Sequence, residues 1–240
     1  MNSQQLTSAK STIESTRETV TEVLARLDHS WTPSDWKPSN KPVDELIATI
    51  LSQNTSDTNT DRAFRALRNA YPDWTDVLSA PSGEIEAVIR AGGLAKQKAP
   101  RIQQALAQIL NEADEDPNQS LLRQLRHMET NQAMEWLTAM KGVGPKTAAC
   151  VLLFAVGKPV VPVDTHVFRV ARRVGLIDSG CDANRAHEVL PEIVPAADSY
   201  RFHMHLIHHG RTTCKARNPR CADCVINDLC SYWREQLPDA

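Results

Sequence analysis

The sequence predicts an all-α fold assembled from many short helices. Three observations carry this. Apolar residues recur at helical spacing along most of the chain, strand-type alternation is scarce, and proline and glycine punctuate the helical stretches.

Taken in order, Ile13, Val20, Leu24 and Leu27 mark one face of an N-terminal helix. The stretch Trp31 to Pro42 holds three prolines besides two tryptophans and reads as a linker. Helical patterns resume at Val43–Ser52, through Leu46, Ile47, Ile50 and Leu51, and at Asp61–Ala70. Further helices fit Gly83–Arg90, Lys98–Asn111 and Asn131–Met140. Gly142-Val143-Gly144-Pro145 is a turn signal ahead of an apolar helix, Lys146–Val156. Pro159 and Pro162 break the chain, and Asp164 opens a helix over Thr165–Leu176. Helices at Asn184–Ile193 and Ser199–His209 lead into a cluster of cysteines. No repeat and no low-complexity tract interrupts this pattern.

The chain has 240 residues, 41% of them hydrophobic, enough for one large domain or two small ones with a real core. Charged residues make up 23%, an ordinary globular share. The net charge of -2 gives no global hint of a nucleic-acid partner, so any such reading rests on local clusters. The most apolar run, Ala148 to Val156, is far shorter than the ~20 residues a membrane span needs. The N-terminus lacks the apolar core of a secretion signal. The expectation is an intracellular protein without a membrane partner, cytoplasmic or nucleoid-associated if prokaryotic. In that setting six cysteines argue against a disulfide framework and for a metal site.

Cys214, Cys221, Cys224 and Cys230 give the spacing C-x6-C-x2-C-x5-C. Four thiolates this close in sequence can surround one zinc ion or one iron–sulfur cluster. Zinc sites usually pair two short knuckles. Here one short pair stands beside wider loops, which suit the bulkier cubane. Cys150 and Cys181 fall outside the pattern and read as buried or free thiols. Between the first two ligands, Lys215, Arg217 and Arg220 form a basic loop. Once rigid, it presents three charges to a phosphate backbone; the plain alternative is solvated surface.

The glycines of Gly142-Val143-Gly144 allow the backbone to approach a ligand closely, and Pro145 suits the first turn of the helix that follows. The free N–H groups at that helix start can bind a phosphate. Lys146 lies in the same first turn, where the helix dipole is unfavourable to a cation. With partial desolvation its pKa is expected to fall, the usual route to a nucleophilic amine. Asp164 stands 18 residues later, at the N-cap of the next helix. On spacing alone the two also read as a phosphate-contacting lysine and a capping aspartate.

These residues resemble the endonuclease III branch of the helix-hairpin-helix DNA glycosylase superfamily. The resemblance rests on Leu51-Ser-Gln-Asn-Thr55, on the block from Lys141-Gly-Val-Gly-Pro-Lys-Thr-Ala to Val163-Asp-Thr-His-Val-Phe-Arg-Val, and on His209-Gly-Arg-Thr-Thr-Cys with the cysteines that follow. It spans roughly residues 40–232.

The resemblance implies two helical lobes, with DNA and a flipped nucleotide between them. One lobe, residues 41–158, has six helices and ends in the helix-hairpin-helix. The other is discontinuous, residues 1–40 plus 159–240, and carries a 4Fe-4S cluster on Cys214, Cys221, Cys224 and Cys230 in a C-terminal loop. It further implies Lys146 as the attacking amine, Asp164 as the catalytic carboxylate and Leu94 as the residue that wedges into the duplex. Asn54 falls where the family usually has a glutamine that fills the vacated space. Gln53 is adjacent, so which of the two probes the opposite base stays open. Lys96, Lys98, Lys215, Arg217 and Arg220, with the Gly142–Gly144 backbone, are the candidate DNA contacts.

The implied function is base-excision repair of double-stranded DNA by a monomeric glycosylase and AP lyase. It acts on damaged bases, oxidised pyrimidines foremost, and on abasic sites, and nicks by β-elimination from a Schiff base. A monofunctional glycosylase of the adenine or mismatch type is the nearest rival. Adenine-type members lack the lysine, carry a glutamate near the position of Thr49 and add a C-terminal domain. From another class, the rival is a non-catalytic iron–sulfur module that binds DNA or senses redox state.

Overall fold

The computed structural model describes residues 3–111 and 116–236, with side chains from residue 13 onward. Every regular element among the described residues is helical. The chain forms two compact units, Met1–Trp36 with Pro159–Ala240, and Lys37–Lys158. The extreme ends of the expected lobes, residues 1–2 and 237–240, lie outside the described residues.

Helix α1 (Ser3–Ser30) belongs to the discontinuous unit. Val20, Val23, Leu24 and Leu27 on its inner face are buried, and Ile13 packs at the edge of the same core. The linker read at residues 31–42 has no regular structure up to Asn40. It is nonetheless tethered: Trp31 stacks on His208 with ring centroids 4.3 Å apart, and Trp36 stacks on Tyr200 at 4.5 Å. The boundary falls at Lys37 rather than after residue 40. The N–H groups of Ser39 and Asn40 bond to the carbonyls of Phe154 and Ala155, which draws residues 37–40 into the second unit.

That unit is organised by α2 (Pro42–Ser52), which buries Val43, Leu46, Ile47, Ile50 and Leu51. Pro42 presets its first turn. Its N-terminal N–H groups find no cap in Lys41; instead Asn118 Oδ1 accepts from Val43 N at 2.9 Å and Asp44 N at 3.3 Å. Next come α3 (Asp57–Ala70), capped by Ser56, then α4 (Trp74–Ser79) and α5 (Ser82–Val88). A 3-10 turn over Arg90–Gly92 leads into α6 (Ala95–Asn111). After α7 (Pro117–His127) and α8 (Thr130–Thr138), the hairpin opens α9 (Pro145–Cys150), which continues as a π-helical turn over Val151–Val156. Helix α2 packs on α3, α6, α7, α9 and that turn.

The chain then returns to the first unit through α10 (Thr165–Val174), α11 (Ala183–Ile193), α12 (Ser199–Thr212) and the short α13 (Ser231–Arg234). Its core joins α1 to Val167 and Val170 of α10, Leu190 of α11, and Phe202 and Leu206 of α12. Arg201 and the Nε2 of His205 converge on the carboxylate of Asp28, and Arg17 donates to the carbonyl of Glu192, pinning α1 to α12 and α11.

Three helices escaped the periodicity reading. Two of them, α4 and α13, are too short for a 3.6-residue pattern to register. The third, α7, did carry a start signal: Asp116 caps the Gln119 N–H at 3.1 Å and Pro117 occupies the first turn.

Gly157 closes the helix of the hairpin at φ +84°, and a Cβ there would meet Pro38 Cγ at 2.7 Å. A left-handed non-glycine residue costs roughly 1–2 kcal/mol even without a clash. Gly157→Ala is therefore expected to destabilise the protein by about 1–3 kcal/mol, read as a lower midpoint in denaturant at unchanged slope.

Candidate active site and metal centre

In the Lys37–Lys158 unit the hairpin is Lys141–Gly144. Gly142 has φ +87°, and a Cβ on it would meet Arg101 Cδ at 3.0 Å, so both backbone and packing require glycine. Val143 is buried and fastens the turn, its N–H bonding to Met140 O at 3.1 Å. Nothing lies within 4 Å of a Cβ built on Gly144, which leaves the start of α9 open to a close ligand.

Lys146 is the second residue of α9 and is half-buried. The sequence reading missed the acid beside it. Glu45, in the first turn of α2, accepts a 3.3 Å hydrogen bond from Thr49 Oγ1. Burial pushes its carboxyl above the ordinary range, against the opposing pull of the Thr49 hydroxyl and the Lys146 charge. Thr49 is no acid, but the structure brings a carboxyl group to it. The sequence signal was available: Glu45 and Thr49 are one turn apart on α2.

Leu94 stands on an exposed loop with φ +51°, directly after Gly93 at φ +67°. Its side chain is 44% exposed, unlike the buried leucines of the core. Asn54 also has a left-handed backbone, φ +53°, and adjacent Gln53 ends α2. Arg101 Nη1 donates to Gln53 Oε1 at 3.1 Å. Lys96 is exposed. Lys98, expected as a phosphate contact, is corrected. It is 1% exposed, and its Nζ donates at 2.7 Å to both Leu51 O and Gly92 O. An ammonium bonded to two internal carbonyls and shut from solvent has no reach to DNA. It was misread because a lysine near a glycine loop looks like a phosphate ligand until its direction is known.

In the other unit, Asp164 caps α10. Its Oδ1 accepts from His166 N at 2.8 Å and Val167 N at 2.7 Å, so Oδ2 takes no part in the cap. The capping role read from sequence is real, and it leaves one carboxylate oxygen for other work.

The four cysteines Cys214, Cys221, Cys224 and Cys230 line one pocket, together with Val170, Val174 and Ile226. None of the four is in a disulfide. Burial pushes the Cys224 thiol up to about 11 and raises Cys221 and Cys230 as well, and the neighbouring thiols add to each shift. Crowded, desolvated thiolates need a cationic centre among them. Among the described residues no three His, Cys, Asp or Glu side chains close on a point fit for a single ion. Four cysteines around one pocket are the donor set of a cubane iron–sulfur cluster.

Two arginines of α10, unremarked in the sequence, hold the loop. Arg169 Nε donates to Cys214 O at 3.0 Å; Arg173 Nη1 donates to Lys215 O at 2.8 Å and to Cys214 Sγ at 3.4 Å. Lys215, Arg217 and Arg220 of the loop are exposed. Cys150 and Cys181 are buried and lie outside the pocket.

Fold and site together define a helical DNA-repair protein with an iron–sulfur loop. Residues 47–196 match the HhH-GPD superfamily of base excision DNA repair proteins, and residues 214–230 match the iron–sulfur binding domain of endonuclease III. The chain is 37% identical over 190 residues to endonuclease III of Synechocystis, covering 79% of this chain and 80% of that one. It is 32% identical over 212 residues to endonuclease III of Escherichia coli, covering 88% and 94%. A longer Arabidopsis thaliana relative named as a DNA glycosylase is 38% identical over 185 residues, and the chain spans 59% of its length. A solved structure of a trapped endonuclease III–DNA covalent intermediate superposes with a TM-score of 0.74 at 26% identity, covering 92% of this chain and 99% of that one.

The chain belongs to the endonuclease III family of the HhH-GPD superfamily. It is a DNA glycosylase of base excision repair, and its cofactor is a 4Fe-4S cluster. Among the described residues no helix is long and apolar enough to cross a membrane.

Two outcomes are expected. Metal analysis should find about four irons per chain, and Cys221→Ala should lose iron and lower the melting temperature of the protein. An acid raised by burial is penalised when ionised. Its adverse effect on stability therefore sets in above the ordinary carboxylate pKa and is complete once pH exceeds the folded value. Glu45→Gln should match wild type in acid and gain relative stability towards neutral pH, as read by denaturant titrations across pH.

Proposed function

We propose that the protein is bifunctional, releasing an oxidised pyrimidine through a covalent lysine intermediate and then nicking the strand. The observation that carries this reading is Lys146: an amine on the first turn of the helix behind the hairpin, half-buried, with the Glu45 carboxyl within its field.

The target nucleotide must leave the stack before its glycosidic bond can be reached. Neutral Lys146 Nζ bonds to the sugar C1′ as the C1′–N bond breaks, and the bonding pair leaves with the base, which takes up a proton. Asp164 Oδ2 supplies negative charge to the positive sugar and accepts the proton that the attacking amine sheds. Ring opening gives an imine to Lys146. The imine makes a C2′ proton acidic, and its loss expels the 3′ phosphate. Outside the chemistry, Lys96, Lys215, Arg217 and Arg220 contact phosphates, with the backbone of Gly142 and Gly144. Leu94 enters the duplex while Gln53 and Asn54 occupy the vacated space.

The cluster, held by Cys214, Cys221, Cys224 and Cys230, fixes the basic loop and supplies no step to the base chemistry. Arg169 and Arg173 share that holding role from α10.

Lys146→Gln is expected to abolish covalent trapping on borohydride reduction, since no amine remains to form the imine. Asp164→Asn should bind DNA as wild type does yet release base ~10²-fold more slowly or worse. Base release by wild type without trapping or alkali-independent nicking would make Lys146 a phosphate contact and the enzyme monofunctional.

A further inference from the structure

The buried ammonium of Lys98 sits where two loops begin. Its Nζ donates at 2.7 Å to Leu51 O, in the last turn of α2, and at 2.7 Å to Gly92 O, at the end of the 3-10 turn. Both are chain-end carbonyls of helical segments, the groups a helix leaves without an internal partner. Two residues beyond Leu51 lies Gln53, followed by Asn54 at φ +53°. Two residues beyond Gly92 lies Leu94 at φ +51°. One cation thus anchors both segments. Gly92 adds close contact, since a Cβ on it would meet Ala63 Cβ at 3.1 Å and Leu51 O at 3.8 Å.

One turn along α6, Arg101 continues the arrangement. It donates to Gln53 Oε1 and lies against Gly142 of the hairpin. Burial, and secondarily the nearby Arg101 charge, lower the Lys98 pKa, so the folded protein bears a cost for keeping an ammonium there. A methionine or leucine of similar volume would fill the space without that cost. What only the ammonium supplies is two donors aimed at two separate carbonyls.

We propose that Lys98 is a positioning residue that locks the Leu94 loop to the Gln53–Asn54 loop, so that entry into the duplex and filling of the vacated space occur as one motion. The inference rests on the reading of Leu94, Gln53 and Asn54 as the residues that enter DNA. Lys98 itself touches neither DNA nor the reacting atoms.

The test is a double-mutant cycle between Lys98→Met and Leu94→Ala. It uses the iron-loaded full chain and a duplex with one oxidised pyrimidine opposite a fluorescent base analogue. Single-turnover base release and the fluorescence rise on unstacking are read together. Lys98→Met is expected to slow both by roughly ten- to a hundredfold, the scale of misplaced geometry. Nicking at a pre-made abasic site, where no base pair must open, should change by less than about threefold. With Leu94→Ala already present, Lys98→Met should add little, because it acts through Leu94.

Equal slowing of release and of abasic-site nicking, or an undiminished Lys98→Met effect in the Leu94→Ala background, overturns the assignment of Lys98. So does a Leu94→Ala defect that Lys98→Met does not share. A Leu94→Ala variant as fast as wild type overturns the wedge reading instead, and the coupling with it. If Lys98→Met melts below the assay temperature, Lys98→Gln, which keeps a donor for one carbonyl, takes its place in the cycle with the same criteria.

Discussion

Burial of α2 on several faces at once is the constraint from which the Lys37–Lys158 unit follows. Five neighbouring segments pack on it, so its apolar residues need no solvent face and its polar groups need dedicated partners. Asp44 receives Trp74 Nε1 at 3.0 Å and Asn118 Nδ2 at 2.8 Å; Asn118 in turn caps the helix start. Lys98 closes the other end. A helix tied at both termini projects the residues beyond it, Gln53 and Asn54, from a fixed base. The same packing sets Glu45 near the charge of Lys146.

In the other unit α10 has the corresponding role by different means. Its Val167, Val170 and Val174 enter the core, while Arg169 and Arg173 reach over the loop that begins at Cys214. That loop has little apolar material of its own; Ile226 is its deeply buried hydrophobe. Backbone carbonyls bound by arginine and thiolates bound to a cluster stand in for a core there. The result is a short basic segment held by fixed contacts, a local, exposed cluster of positive charge on a chain whose net charge is -2.

The acidic groups show how one side chain serves two ends. Asp164 commits one oxygen to two backbone N–H groups, which fixes the carboxylate in place. Its second oxygen takes no part in the cap, and among the described residues no partner holds it. Glu45 is the opposite case, a carboxyl held by a single hydroxyl and raised by burial, whose protonation follows its surroundings.

Much of this was legible in the residues. Helical periodicity marked most of the long helices because an amphipathic face imprints itself on any window longer than two turns, whereas α4 and α13 offered no such window. The cysteine spacing and the hairpin were legible because ligands and turns close in sequence are close in space. Direction and distance were not. Lysines 96 and 98 look alike in the chain, yet one faces solvent and the other is sealed between two carbonyls. Glu45 and Lys146 are far apart in sequence and became neighbours through the packing of α2 on α9. Local chemistry and spacing are properties of the covalent chain. Burial, and the partners a buried charge must find, arise only when distant segments share one interior.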